Sequence, residues 1–439
     1  MGKAVCALVA VAALAGMATA DWPQFQGPNR DGVSTETVRL ADRWPAEGPK
    51  ILWKIEWKLG TGFGGPVVEG GKVYLLDRVN DQQDVLRCIG LATGKEDWTY
   101  AYFAPPEAKD DPKAGKWKGG YHGSRNLPTV DATGIYILGP YGDVSRVSKE
   151  THQAVWTRNI IKEYGANLGN WGICQSPVLY KGMVIVAPLS KEAGIVAFDK
   201  ATGKEVWKSE RLGGIAWTSP FTSTVGGVDQ VVMLLNRDEP RLVGLDAATG
   251  RKLWMYSGWK CPNPVASHTD CGQGRFFITG GYKAGCAMIQ VAKDGGPWKV
   301  RQLFKNLNCG AQACKPVFYK GCLYANSGDL TSEDGMAGNG LMCLDLSGAI
   351  KWKTSNDNIE ENGSLLIADG KIFSLLSEKG VLRLVQASPD GHRELASAKV
   401  CQGGNTWAPM ALSDGKLLIR SRRTLICLDV SVEAGPAGK

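Results

Sequence analysis

Two stretches of this chain are nearly the same hairpin. Gly194 to Trp207 reads Gly-Ile-Val-Ala-Phe-Asp-Lys-Ala-Thr-Gly-Lys-Glu-Val-Trp, and Arg241 to Trp254 reads Arg-Leu-Val-Gly-Leu-Asp-Ala-Ala-Thr-Gly-Arg-Lys-Leu-Trp. Each has a short apolar run, an Asp, a Thr-Gly turn and a strand closing on Trp. Gly supplies positive φ at the turn without a Cβ clash, and the Asp side chain can hold its own backbone. The closing residues, Trp207 and Trp254, lie 47 positions apart, inside the period of four-stranded repeats in propellers. A fold that repeats this unit is therefore expected along the chain.

At 439 residues the chain has room for two or three ordinary domains or one large array. Its 21% charged and 44% hydrophobic residues suit a globular protein, and 56 Gly with 15 Trp suit many tight turns with one recurring aromatic. The formal charge is +8, one less once Lys3 leaves with the start of the chain. No run of Lys and Arg gathers that charge, which argues against nucleic acid as a partner.

Residues 1–20 read as a signal peptide: Lys3 as a positive start, Ala4 to Leu14 as the apolar stretch, and Ala18-Thr19-Ala20 as a small-residue cleavage site. The apolar run is too short to span a bilayer, so no transmembrane segment is expected after cleavage. Cys6 is too near the start to be a lipoprotein cysteine. The expected location is periplasmic or secreted, with residues 21–49 an irregular segment pinned by Trp22 and Phe25, 50–432 a single propeller domain and 433–439 a disordered tail.

A start signal of Pro, apolar residues, Gly with a polar neighbour and another apolar run appears at Pro66 to Leu76, Pro128 to Leu138, Pro177 to Val186 and Pro316 to Tyr324. Weaker forms begin at Pro220, Ser364 and Pro409, and a degenerate one lies between Pro264 and Thr279. Closing Trp residues follow at 98, 156, 207, 254, 298 and 352, and a degenerate copy ends near Leu395 without one. Alternating β-branched and aromatic residues bounded by Gly and Asp read as paired strands, and no long 3.6-residue apolar period is present. The last repeat has the strand Thr424 to Asp429 but no Trp strand, whereas Ile51 to Trp53 is a Trp strand with nothing before it to pair with. Joining the two closes a ring and removes an exposed sheet edge. The expectation is an all-β, eight-bladed β-propeller of four-stranded antiparallel blades closed by an N-terminal strand, with seven blades as the alternative count.

Hairpins of the form Leu-x-x-Leu-Asp-x-x-Thr-Gly-x-x-x-Trp resemble the repeats of pyrroloquinoline-quinone-like β-propellers. That superfamily includes the quinoprotein alcohol dehydrogenases and the outer-membrane barrel-assembly lipoprotein of Gram-negative bacteria. The opening Asp21-Trp22-Pro23-Gln24-Phe25, followed by Gly27-Pro28-Asn29-Arg30-Asp31-Gly32, is similar to a start in exported propeller proteins of planctomycete-like bacteria. The resemblance covers almost the whole mature chain and is specific for fold, since the repeat marks blade geometry while catalysis, scaffolding and ligand binding share the same ring. The quinone enzymes of the superfamily hold their cofactor under a disulfide between adjacent cysteines, beside calcium or a lanthanide bound by Glu, Asn and Asp. This sequence has no adjacent Cys pair and no matching metal motif, which disfavours pyrroloquinoline quinone as a cofactor; none is expected.

The chain has 12 Cys, 11 once Cys6 is removed, so at least one is left unpaired or pairs between chains. There is no Cys-x-x-Cys and there are only four His, which argues against a metal site. Aligned on their Asp and Thr-Gly positions, Cys88, Cys343 and Cys427 share a site with Ala197 and Gly244, where a small buried residue is needed. Cys261 with Cys271 and Cys309 with Cys314 are the candidate disulfides, close in sequence and in loop-like segments.

The segments leading into the inner strands line one mouth of a propeller's channel, and here they are unusual. They place His122, Arg125, Trp171, Trp217, His268, Asn308, Gln312 and Trp407 as candidate ligand-binding residues in a polar, aromatic funnel suited to a sugar, a quinone-like ring or a peptide strand. The competing reading has the Trp residues wedged between blades and the polar groups capping strand ends. His152 replaces the turn Gly and is expected to be exposed. There is no Gly-x-Ser-x-Gly elbow and no phosphate loop, so no catalytic residue is assigned. The sequence points to an exported, noncatalytic, monomeric propeller that binds a small molecule or an envelope protein at its channel mouth. A quinone-dependent oxidoreductase and an envelope assembly scaffold are the alternatives.

Overall fold

A computed structural model describes residues 20–57, 62–80, 83–103, 123–169, 171–214, 216–235, 241–328, 338–354, 363–404 and 406–432. The strands fall into eight four-stranded antiparallel sheets, each numbered here as a blade. From inner to outer strand, blade 1 is Val67–Glu69, Lys72–Asn80, Gln83–Gly90 and Glu96–Phe103, and blade 2 is Thr129–Asp131, Gly134–Leu138, Asp143–Val147 and Ala154–Asn159. Blade 3 is Val178–Tyr180, Met183–Val186, Val196–Asp199 and Glu205–Lys208; blade 4 is Phe221–Val225, Val228–Leu235, Arg241–Asp246 and Lys252–Tyr256. Blade 5 is Thr269–Asp270, Arg275–Gly280, Gly285–Ala292 and Lys299–Asn306; blade 6 is Val317–Tyr319, Cys322–Gly328, Gly338–Asp345 and Ile350–Lys353. Blade 7 is Leu365–Ala368, Lys371–Leu376, Val381–Gln386 and Glu394–Lys399. Blade 8 is Ala411–Ser413, Lys416–Arg420 and Thr424–Asp429, completed on its outside by Lys50–Glu56, which places Trp53 opposite Cys427. Eight blades, not seven, close the ring.

The hairpin turns form as their residues require. Asp199 Oδ1 accepts from the backbone N–H of Ala201 and Thr202 and from the Thr202 hydroxyl, and Asp246 repeats the pattern with Ala248 and Thr249. At several junctions the Trp that closes a blade docks on the corresponding turn of the next one, while Trp254 instead donates to Gln230 of its own blade and packs on Phe276. Trp53 Nε1 donates to Leu91 O at 2.8 Å, Trp156 Nε1 to Lys200 O at 3.0 Å and Trp352 Nε1 to Ser388 O at 2.7 Å. The Trp207 ring lies against Gly250, whose φ is 72° and whose position leaves no room for a Cβ. At His152, where φ is 59°, the imidazole stacks on Trp98 with centroids 4.4 Å apart. In four blades the register sets a small residue opposite the closing ring, Cys88 opposite Trp98, Ala197 opposite Trp207, Gly244 opposite Trp254 and Cys343 opposite Trp352, whereas in blade 2 Arg146 stands opposite Trp156. Blade 5 departs from the expected pattern. Phe304, opposite Met288, takes the seat assigned above to Trp298 and packs on Gly348 of blade 6.

Apolar residues from facing sheets form successive inter-blade layers, and these correct the disulfide reading. Cys261 packs with Trp259 and Phe276 in one layer, while Cys271 packs with Phe277 and Cys286 in the next. Cys309 shares the layer of Cys271, whereas Cys314 packs against the layer of Val317 and Cys343. The two members of each expected pair thus face different inter-blade layers, and all four are free thiols. A disulfide needs Cβ atoms about 3.5–4.5 Å apart, which side chains packed in separate layers do not provide.

The channel is filled by the chain's own beginning. Trp22 exchanges backbone hydrogen bonds with Val68 of blade 1, at 2.9 and 2.8 Å, and Pro23 O accepts from Val130 N of blade 2. Phe25 meets Phe221 of blade 4 edge to face at 5.9 Å. Arg30 Nη2 donates to Pro177 O ahead of blade 3, and Lys315, ahead of blade 6, donates to Arg30 O. Gly32 and Ser34 bond to both sides of Ile367 in blade 7. A short segment that reaches the inner strands of so many blades lies along the axis of the ring.

Candidate functional site at the channel mouth

The lead-ins to the inner strands are pinned side by side by Ser residues, which lets their side chains face one mouth in fixed order. Ser176 Oγ accepts from Leu127 N, Ser219 Oγ from Ser176 N and Ser267 Oγ from Ser219 N, each at 3.0 Å. Each bond satisfies a backbone N–H that the blade itself leaves unpaired.

Four of the expected residues are joined on this rim. The Trp217 and Trp171 rings meet at 64° with centroids 4.5 Å apart. Arg125 Nη1 donates to Trp171 O at 3.2 Å and its guanidinium lies 5.3 Å from the centre of the Phe63 ring. Phe63 then meets Trp407 at 5.6 Å, and the Arg422 guanidinium approaches Phe63 at 5.9 Å. The result is a belt of aromatic rings and two guanidinium groups running from blade 4 round to blade 8. Trp217 is buried in it, while Trp171, Arg125 and Trp407 are half-buried. Beside Arg422 lies a cavity of about 240 Å³ lined by Lys54, Glu56, Cys401, Arg423 and Thr424 among others. Burial raises the Cys401 thiol above its ordinary range.

The other expected residues take different places. His122 lies outside the described residues. His268 is buried behind the mouth, its ring 5.3 Å from Phe221 and 5.6 Å from Phe276. Asn308 Nδ2 donates to Gly348 O in the outer turn of blade 6 at 2.7 Å, and Gln312 Oε1, in the lead-in to blade 6, accepts from Gly281 N of blade 5 at 3.0 Å. Sequence reasoning missed Phe63 and Arg422. Phe63 had a signal, the stretch Gly62-Phe63-Gly64-Gly65 before Pro66, which matches the glycine-rich lead-ins that were singled out elsewhere. Arg422 sits in a hairpin turn of blade 8 and carried none.

Among the described residues, no three His, Cys, Asp or Glu side chains gather into a group suited to a metal ion, and no helix is long and apolar enough to cross a membrane.

Residues 113–260 match a family model described as the outer membrane protein assembly factor BamB. The chain is 30% identical to lupanine 17-hydroxylase [cytochrome c] of a Pseudomonas species over 174 residues, 37% of this chain and 23% of that protein. It is 23% identical to the outer membrane protein assembly factor BamB of Nitrosomonas eutropha over 159 residues, 36% of this chain and 34% of that protein. The chain therefore spans about a quarter to a third of the length of these relatives. Among solved structures it superposes on the quinohemoprotein alcohol dehydrogenase of Comamonas testosteroni with a TM-score of 0.59, at 15% identity, covering 96% of this chain and 82% of that one. The last likeness is one of fold. The eight four-stranded sheets make the chain an eight-bladed β-propeller, and within it residues 113–260 are similar to the barrel-assembly factor model.

Proposed function

We propose that this protein is an exported, noncatalytic propeller whose channel mouth binds a ring-bearing small molecule or a partner's aromatic side chain. The observation that carries this reading is the joined belt of Trp171, Arg125, Phe63 and Trp407, with Arg422 on the same Phe63 ring. The half-buried Trp171 and Trp407 rings offer flat apolar faces, held by the buried Phe63 between them, and the guanidinium groups beside them supply charge and hydrogen bonds that fix orientation. Export is supported by the sequence of residues 1–20, with its positive start, apolar stretch and small-residue cleavage site. The test is a tryptophan-fluorescence titration with three probes: a quinone, a hexose oligosaccharide and an extended aromatic peptide. A saturable change with one probe, weakened at least tenfold in Phe63→Ala, is expected. No saturable change with any of the three, or an unaltered response in Phe63→Ala, defeats the reading.

A second reading, an envelope assembly scaffold, is favoured by the match of residues 113–260 to the barrel-assembly factor model. Affinity purification from a native envelope with recovery of outer-membrane assembly proteins supports it, and their absence from the eluate counts against it. The residues present do not fit the quinone enzymes' cofactor arrangement: there is no adjacent Cys pair, and the rings of Phe25 and Phe221 occupy the channel below the mouth. Dye reduction by protein supplied with pyrroloquinoline quinone and Ca²⁺ would restore the oxidoreductase alternative.

A further inference from the structure

Just below the mouth, three basic side chains converge on one ring. The Arg30 guanidinium lies 5.2 Å from the centre of Phe221, the Lys315 ammonium 4.7 Å and the His268 ring 5.3 Å. All three are at least nine-tenths buried. Their hydrogen bonds are few. Arg30 Nη1 and Nη2 both donate to the single carbonyl of Pro177, and Arg30 Nε meets no acceptor among the described residues. Lys315 has three N–H donors and gives one, to Arg30 O at 2.8 Å. Neither ring nitrogen of His268 has a partner among the described residues.

Neither cation is ion-paired among the described residues. Asp31 and Asp270 are the acidic groups that face Lys315, and both are engaged elsewhere: Asp31 Oδ1 accepts from Val33 N, and Asp270 accepts from the Ser223 hydroxyl and Gly272 N. Burial lowers Arg30 to about 9 and Lys315 to about 8, so both stay protonated at neutral pH. Two like charges in a dry, aromatic-lined channel repel each other and have lost their water. Contact with one Phe face offsets only part of that. Asp31 and Asp270 offset part of the Lys315 charge without bonding it, and what stays open among the described residues is an acceptor for Arg30 Nε–H, the remaining Lys315 N–H groups and a ring N–H of His268.

We propose that Arg30, Lys315 and His268 bind a small monovalent inorganic anion of the halide or nitrate class inside the channel, fastening the N-terminal segment to blades 3–6. The Arg30 Nε–H, the remaining Lys315 N–H groups and a ring N–H of His268 are its donors. The apolar walls of Phe25, Phe221 and Phe276 favour an ion that gives up its water readily, which disfavours sulfate and phosphate.

Bromide is the probe. In crystals of the full chain soaked with bromide, an anomalous peak is expected within hydrogen-bonding distance of Lys315 Nζ and Arg30 Nε. No peak there, or a water in its place, overturns the proposal. In solution, raising bromide against a bulky organic anion at constant ionic strength is expected to raise the melting temperature of the wild type. Lys315→Met loses that rise and Lys379→Met, an exposed control, keeps it. An equal bromide response in wild type and Lys315→Met overturns the proposal. Should Lys315→Met fail to fold, the anomalous measurement on the wild type decides alone.

Discussion

Arg420 of blade 8 and Asp77 of blade 1 meet across the seam of the ring, Nη2 donating to Oδ1 at 2.7 Å with both side chains fully buried. Arg420 Nη1 also donates to Gly64 O and Leu76 O, so one side chain ties the last blade to the lead-in and second strand of the first. Arg87 Nε holds the other oxygen of Asp77 at 3.0 Å. Removing the carboxylate leaves buried Arg420 with no acidic partner among the described residues, and leaves Arg87 with Glu96 alone. Asp77→Ala is expected to lose about 3–5 kcal/mol of unfolding free energy, against less than about 1 kcal/mol for Asp97→Ala, whose partner Lys72 is exposed. Denaturant unfolding of the two variants beside the wild type checks this, and equal losses would refute the seam's role.

The docking of Trp on the next blade's turn makes a separate claim. Gly250 has φ 72° and a Cβ there would stand 2.3 Å from Trp207, while Gly295 has φ 67° with nothing within 4 Å. Ala at Gly295 meets only the left-handed backbone penalty, about 1–2 kcal/mol. Ala at Gly250 meets that penalty and must also displace the ring, so its loss is expected to be larger by at least about 1 kcal/mol. Indistinguishable melting temperatures for the two variants would mean that the ring is not seated by the turn.

The ring was readable because its demands are local. A turn Asp, a Gly at positive φ and a small residue opposite Trp lie within one hairpin, and the unpaired strand at Ile51 to Trp53 announced its partner by the Trp strand that the last blade lacks. Trp298 misled because a Phe can fill the same seat: Phe304 reaches Gly348, and Trp298 precedes the outer strand. The N-terminal segment in the channel was hidden for the opposite reason. Its backbone is irregular and its partners, from Val68 to Ile367, are set by the closed ring and by no periodicity. The mouth was half readable, since a glycine-rich lead-in marks position but not direction. Trp171 and Trp407 join the belt, whereas His268 turns inward.

Layering of the blades also fixes the thiol chemistry. Cys261, Cys271 and Cys309 are buried, and burial pushes Cys261 up to about 11 and Cys271 up to about 12. Thiols held protonated in separate layers neither attack nor pair readily. The expected result is that protein unfolded in alkylating reagent takes up the same number of labels with and without prior reduction. Two additional labels per bridge after reduction would show that disulfides form despite the packing.

The acid side of the stability profile tests the interior of the channel. Burial first, and then the nearby Lys315 charge, lower His268 to about 3, far below its ordinary value near 6.5. Between those values the unfolded chain takes up a proton that the folded chain refuses, so stability is full above about pH 6.5 and falls as the pH drops toward 3. The slope from this one group is up to about 1.4 kcal/mol per pH unit. Asp199 and Asp345 are held low by the Thr202 and Ser347 hydroxyls and neighbouring backbone N–H groups. They add their own loss only within the carboxylate range, below about pH 4. Burial, and then the Arg383 charge, also lower His392, whose decline in the interval from pH 6.5 to 4.5 is common to the wild type and His268→Gln, so the His268 contribution is read as the difference between them. In buffer whose only anions are bulky and organic, urea unfolding across that interval is expected to show a steeper decline for the wild type than for His268→Gln. Parallel lines for the two proteins would mean that His268 is protonated in the folded ring.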